Sequence, residues 1–212
     1  MARQSKGRAG RKTGAWFQRH ANDPHVKRAQ AEGKRSRAAF KLTEILHKYK
    51  LLERKANVIV DLGCAPGSWS AELAPYAGEG GLVVGVDVLG MRPVGGVHVI
   101  RGDFTESGTL ARVEERLAGR RVDLVVSDMA PEMSGHKCVD QARMMGLNEA
   151  TLDFAVNHLR AGGHLLFKTF MGEGLDAFRR DMAGWFESVR LVKPAASRKS
   201  SSEIYLLGSR KK

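Results

Sequence analysis

Residues 58–69 read Val58-Ile59-Val60-Asp61-Leu62-Gly63-Cys64-Ala65-Pro66-Gly67-Ser68-Trp69, and this stretch decides the fold. A short aliphatic, β-branched run closed by a turn reads as a buried strand. Gly63 and Gly67 then bracket a bend in which a ligand can approach the backbone closely. Such a bend occurs where the first strand of an open α/β sheet meets its helix.

Outward from this turn the pattern alternates. Further strands are predicted over 82–88, 97–101, 122–127, 164–167, 189–192 and 204–207. Helices are predicted over 38–49, 70–74, 110–117, 141–159 and 175–186, with Phe40, Ile45 and Leu46 facing inward in the first. The alternation implies an α/β fold of Rossmann-like type, a seven-stranded, doubly wound sheet. No helix joins the last two strands. So short a connection cannot make a parallel crossover, and the seventh strand is expected to run antiparallel.

Acids close the next strands. Asp87 ends the second, about 20 residues past the turn, where a carboxylate can hold both ribose hydroxyls of a nucleoside. Asp103 follows the third and suits an adenine amino group. The glycine spacing is G-x-x-x-G, with Pro66 inside it, rather than the G-x-G-x-x-G that seats pyrophosphate on a helix N-terminus. A nucleoside without phosphate, carrying a cationic sulfonium, fits neighbouring carboxylates. That combination predicts S-adenosylmethionine and methyl transfer.

The charge is lopsided. The 212 residues carry +12, yet residues 1–55 hold 16 Lys/Arg against 4 Asp/Glu, and residues 56–212 hold 19 of each. Residues 1–36 are therefore expected to be a basic, partly disordered RNA-binding arm, and residues 37–212 a single domain. Trp16 and Phe17 within the arm suit base stacking or packing on the domain. Cys64 and Cys138 have neither metal-site nor disulfide spacing, so no metal and a reduced, cytoplasmic setting are expected. No apolar run approaches the ~20 residues of a membrane span. Residues 1–22 lack acids, as transit peptides do, but their glycine content makes a poor amphipathic helix.

The motifs DLGCAPGSW (61–69), SDMAPEMSG (127–135), GGHLLFKTFMGEG (162–174) and SSEIYLLG (201–208) closely resemble those of the FtsJ-type (RlmE) ribosomal RNA 2′-O-methyltransferases. WFQRHANDPHVKRA (16–29) and RSRAAFKL (35–42) do so too. The resemblance runs from about Thr13 to the C-terminus, with the motifs in order. It implies a class I methyltransferase fold and transfer from S-adenosylmethionine to a uridine ribose of large-subunit ribosomal RNA. It also implies cofactor positions at Gly67, Trp69, Asp87, Asp103 and Asp128, and a catalytic set of Lys41, Asp128, Lys168 and Glu203. Cys64, Ser68, Glu132 and Ala195 depart from the family's usual residues, and Glu132 bears on RNA contacts. A monomer is expected.

The four catalytic candidates also converge without the resemblance. Asp128 follows the fourth strand and Lys168 ends the fifth, so both reach the carboxyl edge where α/β sheets bind ligands. Glu203 opens an antiparallel strand, which begins at that same edge, and Lys41 comes from the helix ahead of the sheet. Charged residues closing apolar strands are poor core material, so the alternative is an ion-pair network. Lys168 is the candidate to accept the proton of an attacking hydroxyl. Lys41 favours the neutral amine that this needs, whereas Asp128 and Glu203 oppose it. The other role open to Lys168 is a protonated amine that steers the oxygen.

Two other functions stay in view. The Asp128–Pro131 loop is similar to the D/N-P-P-aromatic loop of base-amino methyltransferases, but ends in proline instead of a stacking ring. A non-catalytic ribosome-assembly factor would keep the fold and the basic arm. Neither cysteine is placed as a nucleophile for cytosine-C5 chemistry. His136 lies in a polar loop where RNA contact or plain solvation is expected.

Overall fold

The computed structural model describes residues 23–53, 57–198 and 201–212. Residues 1–22, with Trp16 and Phe17, lie outside the described residues. The elements are α1 (Pro24–Ala31), α2 (Ala38–Tyr49), β1 (Val58–Leu62), α3 (Ser68–Ala77), β2 (Leu82–Asp87), β3 (Val97–Arg101) and α4 (Ser107–Leu117). There follow β4 (Val122–Ser127), α5 (Lys137–His158), β5 (Leu159–Phe170), α6 (Leu175–Ala183), β6 (Phe186–Val192) and β7 (Glu203–Lys211).

The strands form one seven-stranded sheet in the order β3-β2-β1-β4-β5-β7-β6. All neighbours are parallel except β7, which runs antiparallel to both β5 and β6. All five residues of β1 are buried, as a central strand covered on both faces requires. The sheet separates two apolar layers. Val60, Val84, Phe154, Phe167 and Phe178 belong to one, and Leu42, Ile45, Ile59, Trp69, Leu73 and Tyr205 to the other. No helix among the described residues is long and apolar enough to cross a membrane.

The chain order reverses beside β1: the connection from β1 leads outward to β2 and β3, and the next returns to β4 on the other side. A crevice opens there at the carboxyl ends of the strands. Register sets what faces it. Lys168 lies opposite Tyr205 and Phe170 opposite Glu203 across the β5–β7 pair. The end of β5 and the start of β7 therefore meet at the edge that also carries Asp87 and Asp128.

Two local expectations change. The helix over 175–186 stops at Ala183, because Gly184 caps it and Phe186 already enters β6. Phe40 is only partly buried on α2, whose buried stripe is Ala39, Lys41, Leu42, Ile45 and Leu46. Its ring instead meets the Arg28 guanidinium at 4.5 Å and the Lys34 ammonium at 5.6 Å. Within the segment assigned to the basic arm, residues 24–31 are helical. Asp23 caps α1 by accepting from the His25 backbone N–H at 3.0 Å, with Pro24 in the first turn. This end of the segment is tied to the domain. Asp23 pairs with Arg37, Lys34 bridges Glu72 at 2.7 Å, and the Ser36 and Ser68 hydroxyls lie 2.7 Å apart.

Candidate active site

The glycine-rich turn takes its shape from two left-handed positions. Gly63 has φ +76° and Gly67 has φ +93°. A Cβ on Gly63 would lie 2.6 Å from Met129 Cγ and 3.0 Å from the Met129 backbone nitrogen, so only glycine lets the β4 loop close over the turn. The Gly63 N–H donates to Val86 O at 2.8 Å and locks the turn to β2.

Beside this turn is a cleft of about 550 Å³. Asp87, Asp103 and Asp128 line it, together with Gly63, Val88 and Phe104. Asp87 accepts from the Ala65 N–H and the Leu89 N–H, both at 2.8 Å, one on each carboxylate oxygen. Each oxygen keeps a lone pair for a ligand hydroxyl. Asp103 accepts from the Thr105 hydroxyl at 2.7 Å and the Thr105 N–H at 2.8 Å, both on Oδ1, and among the described residues no donor bonds Oδ2. Those bonds hold its carboxyl below the usual range. Three acidic groups and an apolar wall suit a cationic, phosphate-free nucleoside.

Gly67 and Trp69 are not among the residues lining the cleft. Gly67 forms the N-terminal cap of α3, and a Cβ there would run into the side chains of Arg35 and Val94. Arg35 donates to the carbonyls of Pro66 at 2.8 Å, Arg92 at 2.9 Å and Pro93 at 2.6 Å. It thus ties the turn to the β2–β3 loop. The Trp69 indole is buried, donates to Ala38 O at 2.9 Å and packs against Tyr205 with centroids 5.7 Å apart.

The four catalytic candidates form one bonded chain, of which Asp128 lines the cleft. Lys41 pairs with Glu203 and also donates to the Tyr205 hydroxyl at 3.3 Å. Tyr205 in turn donates to Asp128 Oδ1 at 3.0 Å. Lys168 donates to Asp128 O at 2.5 Å and lies 3.3 Å from Asp128 Oδ1. Two ion pairs, Lys41–Glu203 and Lys168–Asp128, are thus joined by a tyrosine that sequence reasoning missed. A signal was present: Glu203 and Tyr205 are two apart on a strand and share a face.

Burial pushes the Tyr205 phenol well above its ordinary value, and the Asp128 and Glu203 charges add to that. It stays protonated and serves as donor and acceptor at once. Burial also opposes the charge on Glu203, but the Lys41 ion pair, then Lys168 and the Ser197 hydroxyl, outweigh it and hold the carboxyl below its usual range. Both lysines are buried, at 6% and 8% exposure, so their charges need these partners.

Cys64, within the turn, is buried; burial, then Asp61 and Asp87, push its thiol up to about 12, which makes it a poor nucleophile. Cys138 and His136 are exposed at the start of α5. Among the described residues no cluster of His, Cys, Asp and Glu could hold a metal ion.

Asp61 makes a testable contribution to pH dependence. Its carboxyl is fully buried, accepts from Ser70 at 2.6 Å on Oδ2 and has no partner on Oδ1. Burial first, with Asp128 and Asp87 adding to it, pushes it up to about 7 from 3.8. The unfolded chain ionises this carboxyl near 3.8, while the folded chain keeps the proton until about 7. The folded state thus binds the extra proton, and this group's share of stability falls as pH rises through that window, then levels off. Asp61→Asn is expected to flatten the slope. Denaturant midpoints measured at about pH 4.5 and about pH 8 should differ less in the variant than in the parent protein. Equal differences would show that Asp61 does not hold a proton.

The family model for FtsJ-like methyltransferases matches residues 34–211. The chain is 53% identical over 194 residues to the ribosomal RNA large subunit methyltransferase E of Azoarcus sp. (strain BH72), covering 92% of this chain and 94% of that protein. It is 50% identical over 197 residues to the protein of the same name from Stenotrophomonas maltophilia (strain K279a), covering 93% of each. Among solved structures, a protein from Plasmodium falciparum described as a ribosomal RNA methyltransferase superposes with a TM-score of 0.74 at 29% identity. The match covers 84% of this chain and 98% of that one.

Proposed function

The chain belongs to the FtsJ-like methyltransferase family, and on that premise we propose that it transfers a methyl group from S-adenosylmethionine to the 2′-hydroxyl of a uridine ribose in large-subunit ribosomal RNA. The observation that carries the reading is Asp128, which lines the nucleoside cleft and at the same time holds Lys168. One residue thus adjoins both the donor's place and the group that meets the acceptor. Asp87 would hold the ribose hydroxyls, Asp103 the adenine amino group, and Gly63 and Ala65 the backbone side of the cleft. The bound sulfonium supplies a methyl group already activated for displacement.

The protein's own work is then to place and deprotonate an oxygen. An ammonium has three donors, and Lys168 spends one on Asp128 O, with the Asp128 carboxylate 3.3 Å away as its counter-charge. Another points the attacking hydroxyl. As the new C–O bond forms, the hydroxyl proton needs an acceptor in this cluster, and Lys168 accepts it if it has first given up a proton. Lys41 and Glu203 neutralise each other, and through Tyr205 they fix the Asp128 carboxylate in its rotamer. The cytoplasm, where ribosomal RNA is assembled, is the fitting location, and the protein acts there as a monomer.

The test is transfer of labelled methyl to large ribosomal subunits, followed by nucleoside analysis. Label in 2′-O-methyluridine is the expected outcome. Label on a base amino group would establish the base-methylating alternative, and RNA binding without transfer would establish an assembly factor.

The cofactor map has its own test. Asp87→Ala or Asp103→Ala removes a charge-assisted hydrogen bond worth roughly 1.5–3 kcal/mol. The S-adenosylmethionine dissociation constant should rise about tenfold to a hundredfold in calorimetry. Unaltered binding in both variants would overturn the map.

A further inference from the structure

A second cavity, of about 580 Å³, opens between the start of α5 and the end of β5. Met133, Met145, Phe170 and Met171 supply its apolar lining, with Gln141 and Lys137 among its polar residues. The segment 128–136 is the wall between the two spaces. Asp128 to Pro131 face the cleft, and Met133 faces the cavity. Helix α5 holds this wall in place. Asp140 accepts from the Ser134 N–H and hydroxyl, both at 2.7 Å, and Arg143 donates to Glu132 O at 3.0 Å.

Two observations point to an occupant. Four of the eight large apolar side chains exposed among the described residues lie at these two spaces. Val88 (55%) and Leu89 (63%) sit at the cleft, where an adenine would cover them, and Met133 (58%) and Met171 (56%) sit at the cavity. The described residues leave more than half of each member of the second pair exposed. The cavity also adjoins the reacting centre along two strands. Lys168 and Phe170 are two apart on one face of β5, about 7 Å along the strand, and Ser202 of the cavity precedes Glu203.

We propose that this cavity seats the base of the nucleotide whose ribose is methylated, an inference that rests on the proposed 2′-O-methylation. A ribose presenting its 2′-oxygen to Lys168 has the donor on one side. Its base must leave on the other, and there the cavity lies. The rim chemistry favours a neutral ring over a phosphate. Lys137 is one cation against two carboxylates, Asp140 and Glu173, and Asp140 is already bonded to Ser134. Methionine and phenylalanine side chains offer a planar ring a polarisable, sequence-tolerant contact.

Two measurements decide it. The Met133→Ala/Met171→Ala double variant should keep its melting temperature and its affinity for S-adenosylmethionine. Its kcat/KM on unmethylated large ribosomal subunits should fall roughly tenfold, the scale of losing contact with one base. In protein carrying 13C-labelled methionine methyl groups, uridine 5′-monophosphate should shift the Met133 and Met171 signals, and ribose 5-phosphate should not. Unchanged kcat/KM, no shift at those methyls, or equal shifts from ribose 5-phosphate would each overturn the base seat. Failure of the parent protein to methylate any 2′-hydroxyl would instead remove the function on which the proposal rests.

Discussion

Lys168→Ala is expected to lower the single-turnover rate of methyl transfer by at least ~100-fold, the lower end of what a positioned acid–base group contributes. Its affinity for S-adenosylmethionine should stay within about twofold of the parent value, because Lys168 is not among the residues lining the nucleoside cleft. The ammonium donates to Asp128 O and lies 3.3 Å from Asp128 Oδ1. Part of the loss will come from Asp128 itself. Without its ammonium partner the carboxylate keeps the Tyr205 hydroxyl alone. Lys168→Arg separates the two contributions: it retains a cation beside Asp128 but cannot give up a proton in the protein. A rate restored by arginine would assign Lys168 to steering, and a rate still depressed would assign it to proton transfer. Near-parent turnover in Lys168→Ala would sink either role.

Removing residues 1–22 should leave a folded domain that binds S-adenosylmethionine and loses most of its grip on RNA. This stretch carries six of the Lys/Arg residues, Arg3, Lys6, Arg8, Arg11, Lys12 and Arg19, and no acid. The cut falls before Asp23 because α1 and the residues after it are bonded to the domain through Asp23, Lys34 and Arg35. A cut after residue 36 would also remove the Arg35 tie to the cofactor turn and confuse two effects. If all six charges neutralise phosphates, the slope of log K against log salt should flatten by about 4 to 5 units. Binding measured over a salt series with both proteins checks this. Parallel lines of equal affinity would mean that the basic segment is not the RNA grip.

Much of the fold was legible because it is written in local periodicity. Short β-branched runs alternate with helical stretches, and the missing helix between the last two strands required an antiparallel β7. Asp87, Asp103, Asp128 and Lys168 could be placed at one edge because each closes a strand. Helix α1 was legible too, in the Asp23-Pro24 start signal, within a segment whose basic composition gave only a partly disordered arm.

What only the tertiary structure decided are contacts between segments distant in sequence. Periodicity says which face of an element is buried, not what it is buried against. Phe40 was therefore expected in the core and instead meets α1. Trp69 is buried against Tyr205, whose hydroxyl meets Asp128 of the cleft. The pairing of Lys41 with Glu203 and of Lys168 with Asp128 follows from the register that sets Lys168 opposite Tyr205. Buried charges must find partners, but which partners they find depends on the three-dimensional packing of α2, β4, β5 and β7.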